Sequence, residues 1–360
     1  MHKLDYMPRL DGVRALAVAG VLITHFMWQF PGVADAQLGR IGVRVFFVLS
    51  GFLITRILLD YRERMSVGAA ARTFYIRRAL RLLPALYFAV IVSLILGIAN
   101  MREDWLIHVL YLSNFLLAVR GEVEPIGHLW SLAVEEQFYI AWFAVVVWLP
   151  RRWLLPMIMA TLLVSPVFRY VSADWPGRPA ALTPAVTDCL AFGALIGVAS
   201  LENERLFRLF ANWWSLTLTS AALVALVVLF PDPVPLGTAM GLFGASLVAI
   251  AAVPETRGLD WLSVGPLREL GKISYGIYLY HMFLPPLFRH LGIEFPNYQY
   301  KAAVLIPMSI AVAAASWVLI ERPALSLKRF YRGPEEALHA CVPLAEHDSS
   351  TFVQTGWCHR

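Results

Sequence analysis

Residues 10–29 read LDGVRALAVAGVLITHFMWQ, a run that is apolar apart from a few polar positions, chiefly Asp11, Arg14 and His25. Twenty residues wound as an α-helix rise about 30 Å, the thickness of a bilayer's hydrocarbon core. Outward from this run, segments of similar length and character recur, bounded by charge or by Pro and Gly, at 41–59, 82–99, 128–149, 154–171, 184–200, 213–230, 236–253, 273–290 and 301–320. The sequence therefore predicts an all-α, polytopic integral membrane protein with about ten transmembrane helices. Composition agrees. Of 360 residues 59% are hydrophobic and 15% charged, where soluble domains carry ~25% charged residues. A water-soluble core of this size could not hide so much apolar surface, so an ordinary soluble enzyme and a disordered chain are both excluded. Three scattered cysteines, Cys189, Cys341 and Cys358, form neither a disulfide framework nor a zinc site.

The net charge of +5 takes its meaning from where the charges lie. With the N-terminus inside, 20 of the 30 Lys and Arg residues fall on the cytoplasmic side, the bias expected of inward-facing loops. An even number of spans places the C-terminus there too. Residues 1–332 form the membrane part and 333–360 a polar cytoplasmic tail. Between the third and fourth spans, the stretch 100–127 has an amphipathic middle, Trp105 to Val119, too short to cross and expected to be interfacial or re-entrant. Ala34-Asp35-Ala36 resembles a signal-peptide cleavage site, but the preceding apolar run is interrupted by Arg14 and His25 and is long enough to span, so retention is expected.

Ionisable groups inside spans cost at least ~2.5–3.5 kcal/mol on insertion scales and are functional candidates by default. Arg14 and His25 are close to three helical turns apart and share a face, separated by about 16 Å in height. The bland readings are an Arg14 that snorkels inward while pairing with Asp11, and a packing histidine at 25. The fourth span begins with His128, Trp130, Ser131, Glu135, Glu136 and Gln137. Running inward, it places Glu135 about 10 Å below the outer face, while His25 on the outward-running first span lies about 8 Å below it. The matched depths predict a carboxylate beside an imidazole, an arrangement that fixes the tautomer and serves a general base. Ser131 and Glu135 face the same way at i, i+4. The competing reading of the glutamates is an interhelical salt bridge. On the inner side, Arg77, Arg78 and Arg81 lie within a turn and a half and make a phosphate-binding patch, although topology determinants touching lipid phosphates fit equally well. Lys272 to His281 opens the ninth span with hydroxyls and a histidine, and spacing alone reads His281 as a packing residue. There is no nucleophile elbow, P-loop, dinucleotide fingerprint or metal-binding His pair, and nucleic-acid binding has no support.

Taken in order, these motifs resemble those of the family-3 membrane acyltransferases, which O-acylate cell-surface polysaccharides, lipid-linked glycans, Nod factors and some macrolides. The resemblance runs from residue 8 to 323. It is carried by Arg9-Leu-Asp11-Gly-Val-Arg14 with His25 after ten residues, Phe46 to Thr55 including Ser50, Arg78-Ala-Leu-Arg81 and Pro84, the Ser131-x-x-x-Glu135 element, Gly271 to His281, and Glu321-Arg-Pro323. It implies about ten membrane helices in a bacterial inner membrane, acetyl-CoA or another acyl-CoA approaching from the cytosol, and no metal. It also implies that Arg14 and His25 are essential, with the Arg78/Arg81 and Ser131/Glu135 pairs supporting. Many relatives carry a C-terminal esterase-like domain that is not expected in this chain. The minimal family form can act alone or hand its acyl group to a separate partner.

These readings combine into one expectation. CoA phosphates dock at Arg77, Arg78 and Arg81, the pantetheine arm passes Arg14, and His25, oriented by Glu135, deprotonates a hydroxyl of a glycan or lipid-linked sugar arriving from outside. Ser131 is a candidate oxyanion donor, and an acyl-His25 intermediate is the alternative to direct transfer. Trp105, Tyr111, Trp130 and Trp175 could pack on sugar rings, although belt anchoring is the default for each. The rival readings are acylation of a secondary metabolite such as a macrolide, and, in another class, a transporter or flippase, since intramembrane charges also mark substrate pathways.

Overall fold

Helix boundaries in this chain are set by residues that start and stop helices for steric reasons. The computed structural model describes residues 6–98, 100–121, 126–229 and 233–330; the polar tail expected after Gly333, with Cys341 and Cys358, lies outside the described residues. In order, the helices are α1 (Pro8–Met27), α2 (Leu38–Arg64), α3 (Val67–Leu96), α4 (Met101–Val109), α5 (Ser113–Arg120), α6 (Leu129–Trp148), α7 (Leu154–Val171), α8 (Thr187–Glu202), α9 (Glu204–Phe210), α10 (Trp213–Leu229), α11 (Pro233–Ala251), α12 (Gly265–Lys272), α13 (Ser274–Tyr280), α14 (Leu284–His290), α15 (Tyr298–Ser316) and α16 (Arg322–Ser326). Pro8 starts α1 where its missing N–H costs nothing. Ser66 caps α3 by accepting from the Ala69 amide, and Gly97 ends it in the left-handed region at φ 62°. A π-helical turn, Trp317–Glu321, joins α15 to α16.

Among the described residues there is no strand, and seven helices are long and apolar enough to cross a membrane. An eighth crossing results if α9 and α10, which meet at 48°, form one broken span. The two remaining predicted spans are α8, with 16 residues, and the α13/α14 pair. The chain is a multi-pass integral membrane protein.

Two expectations about element limits need correction. The third span, predicted from residue 82, belongs to a 30-residue helix that begins at Val67, so Arg77, Arg78 and Arg81 sit within a continuous helix rather than on an approach to one. The ninth span, predicted as one helix over 273–290, is broken at His281–Phe283. Pro285 and Pro286 open α14, and because neither has an N–H, neither can close an i→i−4 bond back across the break.

The centre of the molecule is the crossing of α2 and α8. A Cβ on Gly51 would lie 2.0 Å from the Leu190 carbonyl oxygen, and one on Gly193 would lie 2.1 Å from that of Val48. Only glycine permits backbones this close, the small-residue packing through which membrane helices gain dispersion contacts. A buried polar knot ties α7, α8 and α11 beside it. Arg169 donates to Asp188 at 2.8 Å, to Thr238 at 2.6 Å and to the Ala185 carbonyl at 2.7 Å. On the outer surface of the bundle, α10 leaves Trp213, Trp214, Leu218, Val224 and Val228 exposed, the apolar face a lipid-embedded helix presents.

Candidate active site

α1, α2, α3, α6 and α13 enclose a cavity of about 270 Å³. Its walls carry Arg14, Ser50, Arg78, Arg81, Ser131, Glu135, Tyr139, Tyr275 and Tyr278 among apolar residues of α2, α3 and α6. Three guanidiniums from α1 and α3 thus meet one carboxylate from α6 inside the membrane-spanning part. Such a concentration of charge requires partners or a ligand.

The partners of each charge differ. Arg14 is held by Asp11 at 2.5 Å, one helical turn away, the pairing its spacing suggested, while its side chain still borders the cavity. Arg78 donates from Nε to Glu136 at 2.7 Å and lies flat on the ring of Tyr139, 3.2 Å from its centre, a cation–π contact on top of an ion pair. Arg81 has no hydrogen-bond or ion-pair partner among the described residues. Arg77 lies apart, its Nη1 3.4 Å from the Tyr61 hydroxyl, and does not line the cavity. The expected three-arginine patch is therefore realised differently: Arg14 takes the place that helix spacing gave to Arg77, because Arg77 lies one residue before Arg78, about 100° around α3.

The two glutamates of α6 separate in the same way. Glu136 forms the interhelical salt bridge with Arg78. Glu135 accepts from Ser50 Oγ at 2.7 Å and faces the cavity; its second oxygen has no partner among the described residues. Ser131 lines the cavity, and its Oγ lies 2.6 Å from the Tyr278 hydroxyl.

The expected contact between His25 and Glu135 is not formed. His25 Nδ1 lies 2.8 Å from Nε2 of His281, with the two rings nearly parallel at 13°, and His25 does not line the cavity. Position along two helices gives depth alone, and depth does not fix which way each side chain turns. Around His281 sit Phe26, Tyr278 and the ring of His128, 4.9 Å away. Tyr278 borders both the cavity and this histidine cluster, so the Ser131–Tyr278 pair forms the wall between them. Three imidazoles stand together, but no group of His, Cys, Asp or Glu among the described residues has the geometry to hold a metal ion.

Sequence reasoning missed Ser50, Tyr139, Tyr278 and His281. Each lies inside a motif already noted, but the cross-helix partners Glu135, Arg78, Ser131 and His25 are 85, 61, 147 and 256 positions away, and nothing in local spacing points to them.

Residues 7–321 match the acyltransferase domain that defines membrane acyltransferase family 3. The chain belongs to this family. It is 32% identical over 357 residues to the peptidoglycan O-acetyltransferase OatA of Listeria monocytogenes, a match covering 89% of this chain and 56% of that protein. It is 35% identical over 311 residues to YrhL of Bacillus subtilis, with 77% and 48% covered, and 28% identical over 359 residues to the O-acetyltransferase OatA of Staphylococcus aureus, with 90% and 58% covered. The chain spans about half the length of the curated relatives it matches. No solved structure matches it.

Proposed function

We propose that the protein moves an acyl group, acetyl in the first instance, from cytosolic acyl-CoA to a hydroxyl of an extracytoplasmic or membrane-associated glycan. The observation that carries this reading is the cavity. In a chain of the acyltransferase family, three guanidiniums and a carboxylate with an unused oxygen stand around a space that ends against a histidine cluster. Arg81, which has no hydrogen-bond or ion-pair partner among the described residues, and Arg78 supply the charge-assisted donors that phosphate oxygens accept. Glu135 offers its second oxygen to an amide N–H of the pantetheine arm. The names of the two OatA relatives, one of them specifying peptidoglycan, favour a cell-wall glycan over a secreted metabolite as acceptor.

In the proposed reaction the acceptor hydroxyl gives its proton to His25 Nε2 while its oxygen attacks the thioester carbonyl. The tetrahedral intermediate then expels the CoA thiolate, which takes the proton back from the imidazolium, leaving an ester and free CoA thiol. General-base assistance of this kind contributes ~10²–10⁴-fold in rate. Because the Ser131 and Tyr278 hydroxyls close the outer end of the cavity, the thioester meets His25 once that pair parts. The freed hydroxyls are then donors for the oxyanion.

The test is acetyl-CoA consumption by the purified protein in the presence of glycan fragments, wild type against His25→Ala. Loss of turnover in the variant with unchanged folding supports transfer. Full turnover in the variant rejects it, and transport of a glycan without acetyl-CoA consumption would favour the carrier reading of the same intramembrane charges. Trapping an acyl group on His25 in the absence of acceptor would replace direct transfer by a two-step route.

A further inference from the structure

The break between α13 and α14 places the His281 ring where it touches two groups of fixed character. Its Nδ1 lies 2.6 Å from the backbone carbonyl oxygen of Tyr278, one of the last four carbonyls of α13, which a helix leaves short of internal donors. A carbonyl oxygen only accepts, so Nδ1 of His281 carries the hydrogen. His281 is fully buried, with two further imidazoles around it and no carboxylate bonded to it, an environment that holds it neutral. A neutral imidazole has one N–H, which leaves Nε2 of His281 as an acceptor. The atom 2.8 Å from it, Nδ1 of His25, must then be the donor. The remaining nitrogen of His25, Nε2, keeps its lone pair, and it has no partner among the described residues.

We propose that His281 is a positioning residue that holds His25 in its Nδ1-protonated tautomer, so that Nε2 faces outward from the cluster as the base. The assignment rests on the role proposed for His25. It transfers to an imidazole, through a relay anchored on a helix-end carbonyl, the orienting function that a carboxylate serves in hydrolase triads. His281 touches no reacting atom. Its effect is exerted through the direction of a single hydrogen bond.

The relay makes a specific distinction among variants. In His281→Gln the amide can donate to the Tyr278 carbonyl and accept from His25, whereas His281→Phe keeps the ring volume and loses both bonds. Acetyl-CoA-dependent transfer is measured on the full-length protein in detergent or nanodiscs, alongside its thermal midpoint. For His281→Phe, kcat falls by about 10²–10⁴-fold while KM for acetyl-CoA changes by less than about threefold, and for His281→Gln activity recovers to within about tenfold of wild type. ¹⁵N NMR of histidine-labelled protein, with the His25 signals assigned by their loss in His25→Gln, shows a non-protonated Nε2 in the wild type and the opposite or an averaged tautomer in His281→Phe. A folded His281→Phe with wild-type kcat, a His281→Gln no better than the Phe variant, or a wild-type His25 protonated at Nε2 would each overturn the assignment. Should the Phe variant fail to fold, the wild-type tautomer and the Gln variant still decide. An active His25→Ala would instead defeat the underlying reading of function, whereas an inactive His25→Ala beside an active His281→Phe defeats the relay alone.

Discussion

Arg78 and Arg81 sit one helical turn apart and border the same cavity, yet they are not equivalent. Arg78 is held by Glu136 and Tyr139; Arg81 has no hydrogen-bond or ion-pair partner among the described residues. A charge-assisted hydrogen bond is worth about 1.5–3 kcal/mol, so Arg81→Gln is expected to raise KM for acetyl-CoA by about 10–100-fold with little change in thermal midpoint. Arg78→Gln is expected to lower the midpoint as well, because it strands the mostly buried Glu136 without its arginine. Steady-state kinetics paired with thermal unfolding of the two variants separates these outcomes, and equal effects on both quantities in both variants would contradict the assignment. What is legible in the sequence at this scale is residue type: Arg14, Ser131 and Glu135 stand out as polar groups in apolar helices and Arg77, Arg78 and Arg81 as an inner-side basic patch, and all of these but Arg77 border the cavity. What was not legible was pairing. Glu135 meets Ser50, and His25 meets a histidine 256 positions later, because rotation about each helix axis and the fit between helices are decided by the packing of the whole bundle.

Helical elements show the same division between pattern and geometry. Each apolar run of the sequence falls on helix, but the runs do not report where a helix bends. The α13/α14 break follows from Pro285 and Pro286, and it is this break that leaves the ring of His281 on a backbone carbonyl. The segment predicted to be interfacial or re-entrant forms two short helices, α4 and α5, turning at Tyr111 with φ 56°. They are clamped by Arg120 on Asp104 at 2.5 and 3.0 Å and by His108 Nδ1, 2.9 Å from Ser113 Oγ. Burial pushes His108 down to about 4 from its ordinary 6.5, so it is neutral in the folded hairpin and protonates more readily when the hairpin opens. The unfolded state then binds more protons between those two values, and stability must fall as pH drops from about 6.5 to about 4, by an amount on the order of 1–3 kcal/mol. Thermal midpoints measured across that window should decline in the wild type and decline less in His108→Asn, which keeps a polar contact to Ser113 but does not titrate. Parallel curves for the two proteins would remove His108 from the account.

At the scale of the whole molecule, contacts between helix ends sort them into two opposite faces without reference to charge bias. Arg151, ahead of α7, binds Glu63 near the end of α2 and Glu202 at the end of α8, and Arg9 near the start of α1 binds Asp260 ahead of α12. Toward the other face, Thr24 near the end of α1 binds the Gly39 amide near the start of α2, Phe30 packs on Tyr298 at the start of α15, and Arg178 bonds the Ala118 carbonyl of α5. These groupings are compatible with helices that alternate in direction through the bundle. On the charge-bias expectation the first face would be cytosolic, and that sign matters for the proposed mechanism. Arg81 reaches the cavity from the middle of α3, while His25 near the end of α1, His128 ahead of α6 and the α13/α14 break lie toward the opposite face, so this is the orientation in which a donor from the cytosol would meet arginines first and histidines last. Gly68, exposed in the first turn of α3 with open space around it, and Asp174, exposed after α7, lie on the two faces. In a chain whose native cysteines are replaced, a membrane-impermeant maleimide should label Asp174→Cys in intact cells and Gly68→Cys only after permeabilisation. The reverse pattern would turn the arginines outward, away from any CoA thioester, and the reaction proposed here could not run in that direction.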